Sequence, residues 1–531
     1  MKLPPRSEII QQSKQALFDL IVIGGGIHGV CVAKMASQSG LSVLLLEQGD
    51  FASGTSSRSS KMAHGGLRYL EMFDFEQVYE GIRSREDLFK YIPNLVKPER
   101  FLIPVPRRDL WFRFKLGIGL TIYDLMARSG KRRHRWLSGK ASAFGDRSDL
   151  AGCYEYTDGL MSDCRLVFEF LTSARYFGAQ SINYAEVESI DPKSKDGVSV
   201  RWCDQLTQTK HASRARLVVN CAGPWAPHLS GAKADKIEGR LRYSRGSHLV
   251  FSVPWRHQSL FLPLDEKGRY YFVWPHQSGT MVGTTEREVS SLDRDPQPSQ
   301  DEITEILERL KRDLPHAGLD RNSLCYAFAG VRSLPTRPGR TKGVGQLSRK
   351  HIWELNDNVL TLFGGKYTTF VWTAREGLKI ALKKLGNSST NPADPFFELP
   401  SAISESEQGE LISFVQSKIS VPDVALRRAV SRLGKQVLRY IDRPDAWQEI
   451  NPGVLRLEVI HGIEIEQALY IEDLLRRRVE LEATPNHGIE TLDLLSVELA
   501  KNAEVSDLAR QKSQYLTRME ELNRSLRATG A

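Results

Sequence analysis

Gly24-Gly25-Gly26-Ile27-His28-Gly29-Val30 is the stretch that decides the reading of this chain. The apolar run Phe18-Asp19-Leu20-Ile21-Val22-Ile23 before it has the character of a buried parallel strand. A helical pattern follows through Lys34 and Ser37 and stops at Gly40. A second apolar run, Leu41 to Leu46, ends on the acid Glu47. Strand, glycine turn, helix, strand and terminal acid form a dinucleotide-binding unit. Gly24 permits the tight turn, Gly26 lets the backbone approach a pyrophosphate, and Gly29 lets the helix pack closely on the sheet. The pyrophosphate sits on the helix N-terminus, where free N–H groups and the macrodipole favour an anion. Glu47 stands at the spacing that reaches ribose hydroxyls.

Two distant segments repeat the pattern of a strand breaking at a small-residue turn. One is Ala215 to Trp225, containing Asn220-Cys221-Ala222-Gly223-Pro224-Trp225. The other is Asn358 to Thr369, containing Phe363-Gly364-Gly365-Lys366-Tyr367-Thr368. Three such elements far apart imply a discontinuous Rossmann-like α/β domain with insertions, over residues 17–85, 205–235 and 351–390. Residues 181–203 and 246–285 alternate like short strands. They predict an antiparallel-sheet substrate domain, built from residues 86–204 and 236–350. Within it, Ser299 and Glu302 have capping-box spacing ahead of a helix over 301–313. From residue 395 to 531 the periodicity is helical, in segments 405–419, 423–441, 464–482 and 491–527. The run Arg476-Arg477-Arg478 there reads as a solvated or ion-paired face.

The chain has 531 residues, 41% of them hydrophobic and 9% aromatic, enough for two or three globular domains. No apolar run approaches the roughly 18 residues that a spanning helix needs. Met1 to Gln15 is polar and reads as a loosely held arm without a signal-peptide core, so a cytoplasmic location is expected. The six cysteines, Cys31, Cys153, Cys164, Cys203, Cys221 and Cys325, form no CxxC pair and no zinc spacing, so buried reduced thiols and no metal are expected. A formal net charge of +9 implies an acidic partner. No nucleic-acid module is present, which leaves an anionic substrate or an anionic membrane surface.

Four further motifs carry chemistry. Thr55-Ser56-Ser57-Arg58-Ser59-Ser60-Lys61-Met62-Ala63-His64-Gly65-Gly66-Leu67-Arg68-Tyr69-Leu70 combines small hydroxyl residues, glycines and an arginine fork suited to phosphate. Arg245-Gly246-Ser247-His248 opens a strand, Ala329-Gly330-Val331-Arg332 places an arginine after a glycine, and Gly364-Gly365-Lys366 precedes a helix. With these, the sequence resembles the FAD-dependent, respiratory glycerol-3-phosphate dehydrogenase family within the D-amino-acid-oxidase-like group. The motifs run in order from Asp19 to about Thr369: IVIGGGIHG, TSSRSSKMAHGGLRYLE, SDCRLV, NCAGPW, RGSHLV, VGTTE, AGVR and FGGKYTT. Glu472-Asp473-Leu474-Leu475-Arg476-Arg477 carries a weaker likeness into the tail.

The resemblance implies FAD held by Gly24, Gly25, Gly26, Ile27, Gly29 and Glu47. It adds Thr55, Ser56, Ser57, Ser60, Lys61, His64, Gly65 and Gly66, then Ala222, Gly223 and Trp225, then Gly364, Gly365, Lys366 and Thr368. It further implies glycerol 3-phosphate held by Arg68, Tyr69, Arg332 and Lys366 and oxidised to dihydroxyacetone phosphate, with electrons passed to a membrane quinone. His248 is the first choice for the base and His64 the reserve, because imidazole titrates near neutrality. Val30 and Cys31 follow the glycine motif, where many members of the family carry a small residue and glycine. Ser333 follows Arg332, where the family usually has proline. Two other readings stay open: another small hydroxy or amino acid as substrate, and a flavin-binding scaffold without catalysis. Trp111 to Met126, aromatic, apolar and basic together, with Lys131 to Trp136 after it, suits either a buried helix or peripheral contact with the cytoplasmic face of an inner membrane. The sequence is compatible with a homodimer.

Overall fold

Leu20, Ile21 and Val22 are wholly buried, and that burial explains the first sheet. An aliphatic side chain removed from water contributes about 1.5–3 kcal/mol. A strand covered on both faces therefore dispenses with alternation. In this computed structural model the described residues are 3–67, 70, 74–128, 132–138, 142–144, 147–194, 197–229, 241–263, 269–336, 350–387 and 391–528. Strand Leu17–Ile23 lies at the centre of the sheet, parallel to Val43–Leu46 on one side and to Thr209–Asn220 on the other. Val359–Phe363 extends the sheet beyond Asn220, also in parallel. Three strands remote in sequence thus become neighbours, and the glycine turns that follow them gather at the carboxyl ends of the parallel strands.

The sheet also takes in what the sequence assigned elsewhere. Gln180–Ile182 is its parallel edge strand beside Val43–Leu46. Ala185–Ser194 and Gly197–Asp204 form an antiparallel extension on Thr209–Asn220. The expectation of a substrate-sheet location for 181–203 is therefore corrected. Alternation showed that these are strands but not which sheet they join. Helix Asp163–Tyr176 packs on helix Ile27–Gln38 beside them. The amino-terminal segment is no loose arm: helix Arg6–Gln15 is anchored by buried Arg6, which pairs with Asp204 at 2.7 Å and donates to the Asn183 carbonyl at 2.9 Å.

The second sheet is largely antiparallel. Its order runs from Arg287–Val289 through Leu241–Phe251, Gly279–Gly283, Tyr270–His276, Ser259–Pro263 and Val96–Pro106 to Leu150–Met161 and Met62–Ala63. Leu324–Pro335 pairs along the length of Leu241–Phe251. Helix Gln300–Asp313 covers it and carries the expected reciprocal cap between Ser299 and Glu302. Helix Leu110–Ala127 inserts Leu120 and Tyr123 beneath this sheet. Its other face is bare: Leu110, Trp111, Phe114, Ile118 and Leu125 are 68%, 72%, 59%, 47% and 70% exposed. At about 100° per residue these five positions fall on one side of the helix. No helix among the described residues is long and apolar enough to cross a membrane.

The carboxy-terminal region is helical, with shorter elements than periodicity suggested. Expected helix 464–482 is interrupted. Helix Arg456–Glu464 ends early, and a wide turn at Leu474–Arg478 follows, in which the Val479 N–H donates to the Leu474 carbonyl at 2.8 Å. Expected helix 491–527 splits into Leu492–Leu499 and Leu508–Arg527. In the first break Asp473 accepts from the Leu469 and Tyr470 N–H groups and Gln511 from that of Ile471; in the second Asn502 accepts from the Glu504 N–H. All six cysteines are buried and unbridged.

Candidate active site

The site begins at the turn between Leu17–Ile23 and Ile27–Gln38. Gly24 has φ +103°, a conformation that L side chains avoid. A Cβ on Gly29 would lie 1.9 Å from the Gly24 carbonyl oxygen, so only glycine lets the helix meet the turn. The helix has no side-chain cap at Gly26; the Ser56 hydroxyl accepts from the Ile27 N–H at 3.0 Å. Glu47 accepts from the Gly25 N–H at 2.6 Å and the Gly49 N–H at 2.9 Å. Burial raises its pKa against those two bonds, which pull the other way. A preformed carboxylate next to a helix start whose first N–H is held only by Ser56 is the polar frame that a ribose and pyrophosphate require.

From there a cavity of about 740 Å³ runs between the two sheets. Gly24, Gly26, Ile27 and Glu47 line it, with Thr55, Ser56 and Ser60, then His64 and Gly66, then Ala222, Gly223 and Trp225, then Gly364, Gly365, Lys366 and Thr368. Gly25, Gly29, Ser57 and Gly65 stand behind the wall. Gly25 faces Phe51 and Glu47, and Gly65 faces Ile82 and Tyr123. Lys61, expected on the cofactor, is corrected. Its Nζ points away into a buried acid cluster, 2.6 Å from Asp163 and 3.7 Å from Glu480. Those charges raise its pKa despite burial.

Arg332, Lys366 and His64 all line the cavity. The Arg332 guanidinium donates to Thr284 Oγ1 at 3.1 Å. It lies over Gly246, where a Cβ would come within 2.5 Å of both terminal nitrogens. Gly246 in the strand is thus what allows Arg332 to lie flat across it. The His64 N–H donates to Thr368 Oγ1 at 3.3 Å, tying the His-Gly-Gly segment to the Gly364–Thr368 turn. Arg68 and Tyr69 lie outside the described residues.

The direct role expected of His248 is corrected. His248 is 1% exposed and absent from the cavity wall. Its ring stacks on Phe328 at 5.0 Å, and its Nε2 lies 2.9 Å from Ser60 Oγ. Burial, then the Arg332 and Lys61 cations, holds it neutral, well below the usual imidazole range. Its ring nitrogen reaches the cavity wall through Ser60. The pattern Arg-Gly-Ser-His could not show this, because strand alternation leaves open which face is hollow.

Several lining residues escaped the sequence reading. His28 lies at the helix start, and its buried Nε2 finds no hydrogen-bond partner; burial pushes its pKa down to about 3. Its place inside the glycine motif was the available signal. Arg58 is buried on the wall with Nη1 unpartnered and Nη2 2.6 Å from Asp295. Tyr156, Phe261, Tyr270 and Phe272 line the cavity as one aromatic cluster. No local signal marks them, since they converge from separate strands.

A nucleotide-binding parallel sheet whose cavity carries cations and an imidazole against a second sheet defines a dinucleotide-dependent oxidoreductase. The chain belongs to the FAD dependent oxidoreductase (DAO) family, whose model matches residues 19–374. It is 30% identical over 495 residues to the aerobic glycerol-3-phosphate dehydrogenase of Staphylococcus aureus (strain USA300), across 89% of this chain and 88% of that one. Its fold is that of the glycerol-3-phosphate dehydrogenase from Bacillus halodurans complexed with FAD, with TM-score 0.78, 22% identity and 99% of each chain covered. The reduced L-alpha-glycerophosphate oxidase of Mycoplasma pneumoniae with FAD bound shares the fold over 69% of this chain and 95% of that one, at TM-score 0.53 and 16% identity. FAD is the cofactor. The residues present fit it: the helix start at Gly26–Ile27 and Glu47 beside the glycine turn both line one cavity. The enzyme oxidises a small substrate by hydride transfer to the flavin.

Proposed function

We propose that the substrate is sn-glycerol 3-phosphate, the product dihydroxyacetone phosphate, and the electron acceptor a membrane quinone. The observation that carries this reading is that Arg332 and Lys366 both line the cavity, two cations where the single carboxylate of a hydroxy acid would need one. A dianionic phosphate matches a guanidinium fork and an ammonium together. The resemblance adds Arg68 and Tyr69 to the same pocket. The staphylococcal relative is an aerobic glycerol-3-phosphate dehydrogenase, which points the same way.

FAD, when bound, supplies the acceptor for the hydride leaving the secondary carbon. Arg332 and Lys366 hold the phosphate and so fix which carbon faces the ring. His64, the reserve choice, takes the hydroxyl proton, because it alone of the two histidines lines the cavity. His248 orients the Ser60 hydroxyl from behind. The bare face of Leu110–Ala127, with Arg107, Arg108 and Lys115 exposed nearby, lies in an anionic bilayer interface on the cytoplasmic side and brings the aromatic wall toward the quinone.

The test is anaerobic. Flavin-loaded protein is mixed with glycerol 3-phosphate, glycerol, or small amino and hydroxy acids. Rapid bleaching by glycerol 3-phosphate alone is expected. Bleaching only by an amino or hydroxy acid overturns the substrate, and no bleaching by any overturns catalysis. Co-sedimentation with anionic vesicles, abolished by Trp111→Glu, is expected; an unchanged Trp111→Glu pellet refutes the interfacial helix.

A further inference from the structure

The three consecutive arginines of the carboxy-terminal region read as a solvated face, yet Arg477 and Arg478 are 4% and 1% exposed. They converge on Asp50, itself 1% exposed. Arg477 Nε lies 2.5 Å from Asp50 Oδ2, and Arg478 Nη2 lies 2.8 Å from Oδ1. Asp50 opens the cofactor segment 50–60, three residues after Glu47. At the far end of that segment, Arg58 pairs with Asp295, and Asp295 pairs with Arg476 at 3.0 Å. The segment is thus gripped at both ends by one carboxy-terminal turn, residues 474–478. In its middle the Ala52 N–H donates to the Gly25 carbonyl at 3.1 Å, which couples it to the glycine turn.

The same region also reaches the cavity itself. Tyr470, Arg476, Arg477 and Gln514 line it, at the end marked by Glu47 and Tyr184. The Tyr470 and Tyr184 rings stand 4.9 Å apart. Asp473 fixes both, accepting from the Tyr184 hydroxyl at 2.7 Å and from the Tyr470 N–H at 3.0 Å. Glu47 ends the second strand, where a dinucleotide places its adenosine ribose. The aromatic pair therefore flanks the adenosine half.

We infer that the carboxy-terminal helical region is part of the cofactor site: Tyr470 and Gln514 form the outer wall over the adenosine half of FAD, and the grip on segment 50–60 holds that wall shut. This extends the nucleotide site beyond the matched family region, which ends at residue 374. It is independent of which alcohol or acid the enzyme oxidises.

The test uses the full chain, stripped of flavin and reconstituted. FAD affinity is read from quenching of flavin fluorescence, and ADP, which carries only the adenosine half, is the competing probe. Tyr470→Ala is expected to weaken FAD about tenfold and to raise the ADP inhibition constant by the same factor. The visible spectrum of the bound flavin stays that of the parent. FAD affinity falling less than threefold overturns the inference. A fall for FAD with ADP unchanged also overturns it, because the loss then lies away from the adenosine end. If Tyr470→Ala does not fold, Gln514→Ala decides, since Gln514 is an exposed side chain on the surface of helix Leu508–Arg527. It is expected to weaken FAD and ADP together about threefold, with the thermal midpoint of the flavin-free protein unchanged. Unaltered affinities for both overturn the inference.

Discussion

Gly246→Ala tests the reading of the cationic pocket with a single methyl group. The added Cβ would lie 2.5 Å from both terminal nitrogens of Arg332 and 2.6 Å from Thr284 Oγ1. Heavy atoms do not approach so closely, so the guanidinium must leave its place across the strand and lose its bond to Thr284. The backbone does not resist the change, because Gly246 is not among the glycines with positive φ. A displaced Arg332 costs the charge-assisted hydrogen bonds it offers an anion, about 2–3 kcal/mol, or roughly 30- to 150-fold in kcat/KM. The phosphate does not itself react but it orients the neighbouring carbon, so KM should rise most, with a smaller fall in kcat. Steady-state oxidation of glycerol 3-phosphate with an artificial acceptor measures this, on protein whose visible spectrum confirms full flavin loading. The methyl meets Thr284 as well as Arg332, so in an Arg332→Ala background the substitution should cost only the smaller part that acts through Thr284. Parent-like kcat/KM within threefold, or a full penalty persisting without Arg332, would refute the reasoning.

Three further outcomes follow from the geometry. Gly29→Ala forces a Cβ to 1.9 Å from the Gly24 carbonyl and should yield colourless protein that cannot take up FAD; a normally yellow preparation would contradict the turn. Lys61→Met leaves Asp163, whose side chain is fully buried, without its partner and should cost about 3–5 kcal/mol in urea unfolding. Because the folded-state pKa of Lys61 is raised above 10.5, that stability is full below this pH and fades only above it. His461 is pushed down to about 4, by burial foremost and by the Arg165 cation, against the pull of Glu466. The unfolded chain therefore takes the proton first, so stability present above pH 6.5 is lost as pH falls toward 4, by at most about 1.4 kcal/mol per unit. His461→Gln should flatten that acid limb, and equal slopes in urea unfolding at pH 7, 6 and 5 would refute it.

The sequence alone determined the nucleotide half. Glycine turns, buried strands and a terminal acid are local devices: a missing Cβ, an uncapped helix start and a run of aliphatic residues act within a dozen positions. Gly24, Gly26 and Glu47 could therefore be placed before any fold was known. The pairing of Arg332 with Lys366 on one wall was legible only through motif resemblance.

Tertiary structure decided the rest. Lys61 and His248 occupy motifs that suit a cofactor, but which way a side chain points depends on what covers the other face. Asp163 and Glu480 draw Lys61 inward, and Phe328 with Ser60 shuts His248 behind the wall. Arg476, Arg477 and Arg478 look like a charged surface until Asp50, more than 400 positions away, desolvates two of them. Burial and partner charge are properties of long-range contacts, and no local spacing encodes them.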